Sequence, residues 1–145
     1  MDVNKKVAFL VQYSRMKERM MLLIERKRAY EDDIYGIKAT RFTDEPKGGG
    51  LPTGLDVKVV KLLSVSEDIN KELEVLADKM EYIKASLDRL TNLKYKSVLE
   101  LKYIDGMTQI QMCSVMSCSR AKLFKLNKKA LVALPLEETD LEHIL

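Results

Sequence analysis

Tryptophan is absent, histidine occurs once and cysteine only twice in this chain. Each shortage excludes a kind of chemistry. The single histidine, His143, stands two residues from the end, so imidazole-based acid/base catalysis or metal binding would have to rest on a tail residue. Cys113 and Cys118 lie five apart, a spacing that fits neither a redox C-x-x-C pair nor a zinc site. No apolar run approaches the roughly 20 residues that span a bilayer. The opening MDVNKKVAFLVQYSRMKERMM also has no small-residue cleavage site of a secretory signal. The expectation is a cytoplasmic protein with no membrane contact, which is not an enzyme and has no catalytic site, metal or cofactor.

Breakers of regular structure are also scarce. Three prolines and six glycines in 145 residues, with 46% apolar and 32% charged side chains, describe a helix-rich chain of about one domain. Four of those glycines and two of the prolines fall between Lys38 and Asp56, which reads as a flexible linker over 38–56. Its run Gly48, Gly49, Gly50 lacks the G-x-x-x-x-G-K-[ST] pattern of a phosphate cradle.

On either side of the linker the apolar residues step by fours and threes. Phe9, Tyr13, Met16, Met20, Leu23, Tyr30, Ile34 and Ile37 form one seam, interrupted at Lys27, on a long N-terminal helix over 1–37. Leu62, Ile69, Leu73, Leu76, Met80, Ile83, Leu87 and Leu90 form a second, with Ser66 its polar member, on a helix over 57–92. Two matched amphipathic helices joined by one loop predict a coiled-coil-like antiparallel hairpin. Leu10, Met21 and Ile24 lie beside the first seam, and they suggest a homodimer formed through this hairpin.

After Leu93 the pattern shortens. An apolar segment from Leu93 to Ile104 stops at Asp105-Gly106, and Thr108 with Gln111 makes a capping box worth about 1 kcal/mol at the start of a second short helix. Ser117-Cys118-Ser119 is a tight turn, with Ser117 where glycine is usual, and Ser119 caps a third helix that starts at Arg120. Such units over 93–134 predict a helix-turn-helix. Met112, Met116, Leu123 and Leu126 are its expected interior, Cys113 the small residue at the helix crossing and Cys118 the plug of the turn. The predicted fold class is therefore all-α, a long helical hairpin followed by a C-terminal helix-turn-helix bundle.

Charge is unevenly placed along the chain. Residues 93–134 carry eight bases against two acids, residues 135–145 carry four acids and no base, and residues 1–92 are close to neutral. With the interior assigned, Arg120, Ala121, Lys122, Phe124, Lys125, Lys128 and Lys129 face outward, with Asn127 between them. A basic outward helix in this motif meets the DNA major groove, where early residues reach base edges and later ones the phosphates. Arg120, Ala121, Phe124 and Lys125 are assigned to bases, and Lys122, Lys128 and Lys129 to the backbone. Few aromatics are available for stacking single-stranded RNA.

The stretch YKSVLELKYIDGMTQIQMCSVMSCSRAKLFKLNKKALVAL resembles region four of bacterial sigma factors. The features that carry the resemblance are Tyr103, Gly106, Thr108, Ser119, Arg120, Leu123 and the closing Ala130, Leu131 and Leu134. It implies promoter-type double-stranded DNA as partner, with Thr108 and Ser119 added to the DNA-binding set, and a contact with RNA polymerase. The wider layout, with Pro46 to Gly49 in the loop, resembles phage and prophage late-gene transcriptional regulators of the ArpU type. Nothing corresponds to the sigma segments that melt DNA, which implies an accessory regulator.

Two other readings stand beside this one. Phage small terminase subunits also join a helix-turn-helix to a helical oligomerisation hairpin and serve as packaging adaptors. Alternatively, the basic face docks an acidic protein such as RNA polymerase or a sigma partner without binding DNA. The acidic tail over 135–145 is either a solvated end or a segment that covers the basic helix until DNA displaces it.

Overall fold

A computed structural model describes residues 1–43 and 54–145, with side chains described for 1–36 and 57–145. The described residues form six α-helices and no strand, so the fold is all-α. The helices are α1 (Val3–Thr43), α2 (Gly54–Ser86), α3 (Leu93–Leu99), α4 (Gln109–Met116), α5 (Arg120–Ala133) and α6 (Glu138–Ile144). None of them is long and apolar enough to cross a membrane.

Asp2 starts α1, its carboxylate accepting from the Asn4 amide at 2.6 Å. The helix continues through Thr43, beyond the expected end at 37, because neither proline nor glycine occurs from Ile37 to Thr43. The second helix likewise begins at Gly54, so the backbone of 38–43 and 54–56 is helical where a linker was expected. The remainder of that linker, including Pro46 and Gly48 to Gly50, lies outside the described residues.

Contacts divide the chain into two compact units, one of Met1–Glu18 with Ala77–Leu145 and the other of Arg19–Leu76. Phe9 meets Tyr82 edge-on in the first, and Arg19 pairs with Glu72 at 3.0 Å in the second.

In the Arg19–Leu76 unit the seam turns inward. Leu23, Ile34, Ser66 and Ile69 are buried, and Met20, Tyr30, Leu62, Leu73 and Leu76 are half-buried. Lys27, the charged member of the seam, is half-buried, and its ammonium reaches Glu31 at 3.7 Å. Met21 and Ile24 remain exposed, as their off-seam position requires.

The other unit holds most of the core. Phe9, Leu10, Ile83, Leu87, Val98, Leu99 and Leu134 are almost wholly enclosed. Leu10 thus belongs to this core and does not share the exposure of Met21 and Ile24. After Ser86 the second helix tightens into a single 3-10 turn, Leu87–Arg89, and ends earlier than the expected residue 92. Asn92 then caps α3, accepting from the amides of Lys94 and Tyr95. Past Leu99 the third helix widens into a π-turn, Glu100–Ile104, closed by Asp105 N–H donating to the Glu100 carbonyl at 2.9 Å. Gly106, at φ 66°, supplies the left-handed residue that turns the chain towards α4.

The acidic tail is built into this unit as α6. Its Asp140 is buried, accepts from Tyr82 Oη at 2.6 Å and forms a two-point pair with Arg89. Lys5 reaches Glu138 at 2.6 Å, and the buried Lys6 ammonium donates to the carbonyls of Leu131 and Val132 at 3.0 and 3.1 Å. A cation is thereby placed on the last carbonyls of α5, where both orphan acceptors and helix dipole favour it.

Candidate nucleic-acid interface

The local chemistry of residues 105–123 is as the sequence prescribes. Thr108 Oγ1 accepts from the Gln111 amide at 3.3 Å while Gln111 Oε1 accepts from the Thr108 amide at 2.9 Å. The fourth helix stops at Ser117, whose φ of 51° and ψ of 49° are left-handed, and Cys118 N–H closes the end onto the Cys113 carbonyl at 3.2 Å. Ser119 Oγ then accepts from the Lys122 amide at 3.2 Å and opens α5. Two helices joined by this short turn, with α3 packed against the second of them, make the helix-turn-helix.

Burial fixes which side of α5 is left outside. Met112 and Leu123 are buried, as are Ala130, Leu131 and Leu134, whereas Met116, Leu126, Cys113 and Cys118 are half-buried. Both cysteines are free thiols. Arg120, Ala121, Lys122, Phe124, Lys125, Lys128 and Lys129 are all exposed. They occupy one helix of 14 residues, so side chains three or four apart stand along a shared face. None of the five cations has a carboxylate within salt-bridge distance among the described residues, in contrast to Lys5, Lys96 and Arg89, which are paired. Adjacent like charges without acids repel one another, and an anion that enters between them relieves that repulsion.

Thr108 and Ser119 are exposed at the starts of α4 and α5. Each hydroxyl accepts a backbone hydrogen bond, which leaves its own proton free to donate outward. Asn127 departs from its expected outward position. It is half-buried, and its Oδ1 is enclosed without a partner. Its side chain also opposes the effect of burial on Tyr103, which pushes that phenol above its ordinary pKa.

Two hollows border the basic helix and bring in residues that the sequence did not single out. Tyr95 of α3 joins Lys125, Lys128, Lys129, Val132 and Ala133 around a groove of about 460 Å³. Lys102, Met107, Gln109 and Met112 line a second, of about 270 Å³, together with Phe124. Tyr95 and Gln109 gave no signal of their own, because α3 and α4 reach the basic helix only through the turn geometry.

Residues 36–135 match the family described as a protein of unknown function, DUF1492. The chain belongs to that family. The DUF1492 match takes in α2, the helix-turn-helix and the whole of α5, so the basic face lies within the family region. No curated protein and no solved structure matches the chain.

Proposed function

We propose that this DUF1492 protein is a DNA-binding transcriptional regulator that reads double-stranded promoter-type DNA with α5. The observation that carries the reading is the outward face of α5, where Arg120, Lys122, Lys125, Lys128 and Lys129 stand exposed and unpaired on the second helix of a helix-turn-helix. Ala121 and Phe124 are the apolar members of that face. Small or aromatic groups of this kind suit contact with a thymine methyl, and the lysines suit phosphate oxygens. The resemblance to sigma region four supports a promoter, and the wider layout, which resembles late-gene regulators of the ArpU type, supports a phage or prophage setting. No catalytic role is assigned to any residue.

The experiment is a fluorescence-anisotropy titration against DNA from around the protein's own locus, repeated at several salt concentrations, with wild type and Lys125→Ala. Saturable binding that exceeds binding to random DNA, with log K falling by about 0.9 per phosphate contact per decade of salt, is the expected result. Absence of binding at low salt sinks the reading.

A second reading rests on the same exposed cations of α5, which suit docking on an acidic protein such as RNA polymerase or a sigma partner without DNA affinity. The packaging-adaptor reading differs in copy number, because it requires a ring of many chains.

A further inference from the structure

A tyrosine stands among the unpaired lysines of α5. Tyr95 lies in the first turn of α3, where Asn92 Oδ1 accepts from its amide at 3.3 Å, and α3 packs against α5. That packing brings Tyr95 to the groove of about 460 Å³ whose other residues, Lys125, Lys128, Lys129, Val132 and Ala133, all belong to α5. Lys128, Lys129 and Val132 follow Lys125 by three, four and seven residues, so the four share one face of the helix. The Tyr95 hydroxyl makes no hydrogen bond among the described residues, whereas Tyr82 donates to Asp140 at 2.6 Å. Its proton is therefore free to be donated to a ligand. The other part of the groove is apolar, since Val132 is 61% exposed and Ala133 is exposed beside it. A sugar-phosphate backbone alternates an apolar ring with an anion. It can lay a deoxyribose on Val132 and Ala133 while its phosphate oxygens accept from the ammonium groups and the phenol. The hollow bordered by Leu123, Phe124 and Asn127, on the other side of α5, offers one cation, Lys102, whose ammonium lies 5.3 Å from the Tyr103 ring centre. The two flanks of α5 thus differ, and the Tyr95 side is the one built for an anionic strand.

We propose that Tyr95 donates a hydrogen bond to a DNA phosphate, and that the backbone of one strand runs along the groove between α3 and the C-terminal half of α5. The inference rests on the reading of α5 as a DNA-binding helix, and it adds a contact from the helix that precedes the helix-turn-helix pair. Lys128 and Lys129 supply charge to the same strand. Tyr95 fixes where along that strand the phosphate sits, because a hydroxyl hydrogen bond is directional and an ammonium acts as a point charge on a flexible stem.

The test is anisotropy binding of the full chain to duplex from around its own locus and to random duplex, for wild type, Tyr95→Phe, Val132→Glu and, as a control for charge, Val75→Glu. Val75 is 51% exposed but lies in the Arg19–Leu76 unit. Tyr95→Phe keeps the ring, so the melting temperature should stay as in wild type. Its affinity for both duplexes should fall about tenfold with an unchanged salt slope, since no cation is lost. Val132→Glu puts a carboxylate in the groove and should weaken both duplexes by about tenfold, whereas Val75→Glu should not. A series of duplexes, each with one phosphate neutralised as a methylphosphonate, then locates the contact. At one position that change should weaken wild type about tenfold more than it weakens Tyr95→Phe. Equal affinity of wild type and Tyr95→Phe, full affinity of Val132→Glu, or the same methylphosphonate losses in wild type and Tyr95→Phe would overturn this inference and leave the α5 reading intact. Failure of wild type to bind any duplex at low salt would overturn both and leave the groove to an acidic protein.

Discussion

Arg89 holds Asp140 with two nitrogens, Nη1 to Oδ2 and Nη2 to Oδ1, each at 2.9 Å. The hydrogen bond from Arg89 is the largest influence on the Asp140 carboxyl and keeps it well below the usual carboxylate range, against the opposing effect of burial. The same partnership raises the Arg89 guanidinium, and the hydrogen bond to Asp140 raises the Tyr82 phenol. A single carboxylate on α6 is thus fixed by side chains at the end of α2 and beyond it.

Asp140→Asn should lower stability at neutral pH by about 2 kcal/mol. Removing one partner of a buried pair costs more, but the Arg89 side chain is 38% exposed, and solvent screens part of the loss. Because the folded pKa of Asp140 is depressed, the unfolded chain binds more protons as pH falls below about 4, and stability falls with it. Urea melts at pH 7 and pH 3 check this, and the gap between wild type and variant should narrow at the lower pH.

Deleting residues 135–145 should destabilise the protein and should not tighten DNA binding. Burial of Leu136 and Ile144 contributes about 1.5 to 3 kcal/mol each, and the Asp140 pair is lost as well. Among the described residues no hydrogen bond or ion pair joins α6 to the lysines of α5, so the tail is not placed as a cover for the basic face. Denaturant melts and anisotropy on the truncated chain measure the two effects separately, and a rise in affinity would restore the displacement idea.

Ser117→Gly should stabilise by about 0.5 to 1 kcal/mol. A side chain at φ 51° is strained, and glycine removes that strain at a small cost in unfolded-state entropy. Ser117→Val should do the opposite, since a β-branched residue resists the left-handed region. Thermal melts of the three proteins give the order directly.

On the DNA-binding reading, Lys128→Gln combined with Lys129→Gln should weaken every sequence alike and flatten the salt dependence by about 1.8, or 0.9 for each phosphate contact. A change in sequence preference instead would move these lysines to base contact.

Phe124→Ala should have the contrasting signature. If its ring meets a thymine methyl, replacing that thymine by uracil weakens wild-type binding up to about tenfold and leaves the variant unaffected. Equal sensitivity of both proteins to uracil would remove Phe124 from the reading face.

The sequence by itself determined what depends on near neighbours. Helical spacing identified both long seams, Thr108 with Gln111 and Ser119 announced their helix starts, and the absence of acids from 106–136 marked the outward cations of α5. Caps and periodicity act within a turn or two, so a linear reading carries them. Only the tertiary structure decided the fate of groups whose partners are far along the chain. Lys6 caps carbonyls 125 residues away, Tyr82 meets Asp140 at a separation of 58, and Leu10 is buried while Met21 on the same helix is not. Asn127 turns inward amid lysines for the same reason, beside Tyr103 on another element. A tail with four acids looks solvated until a cation is placed against it, because burial of a charge is set by which partner the fold delivers.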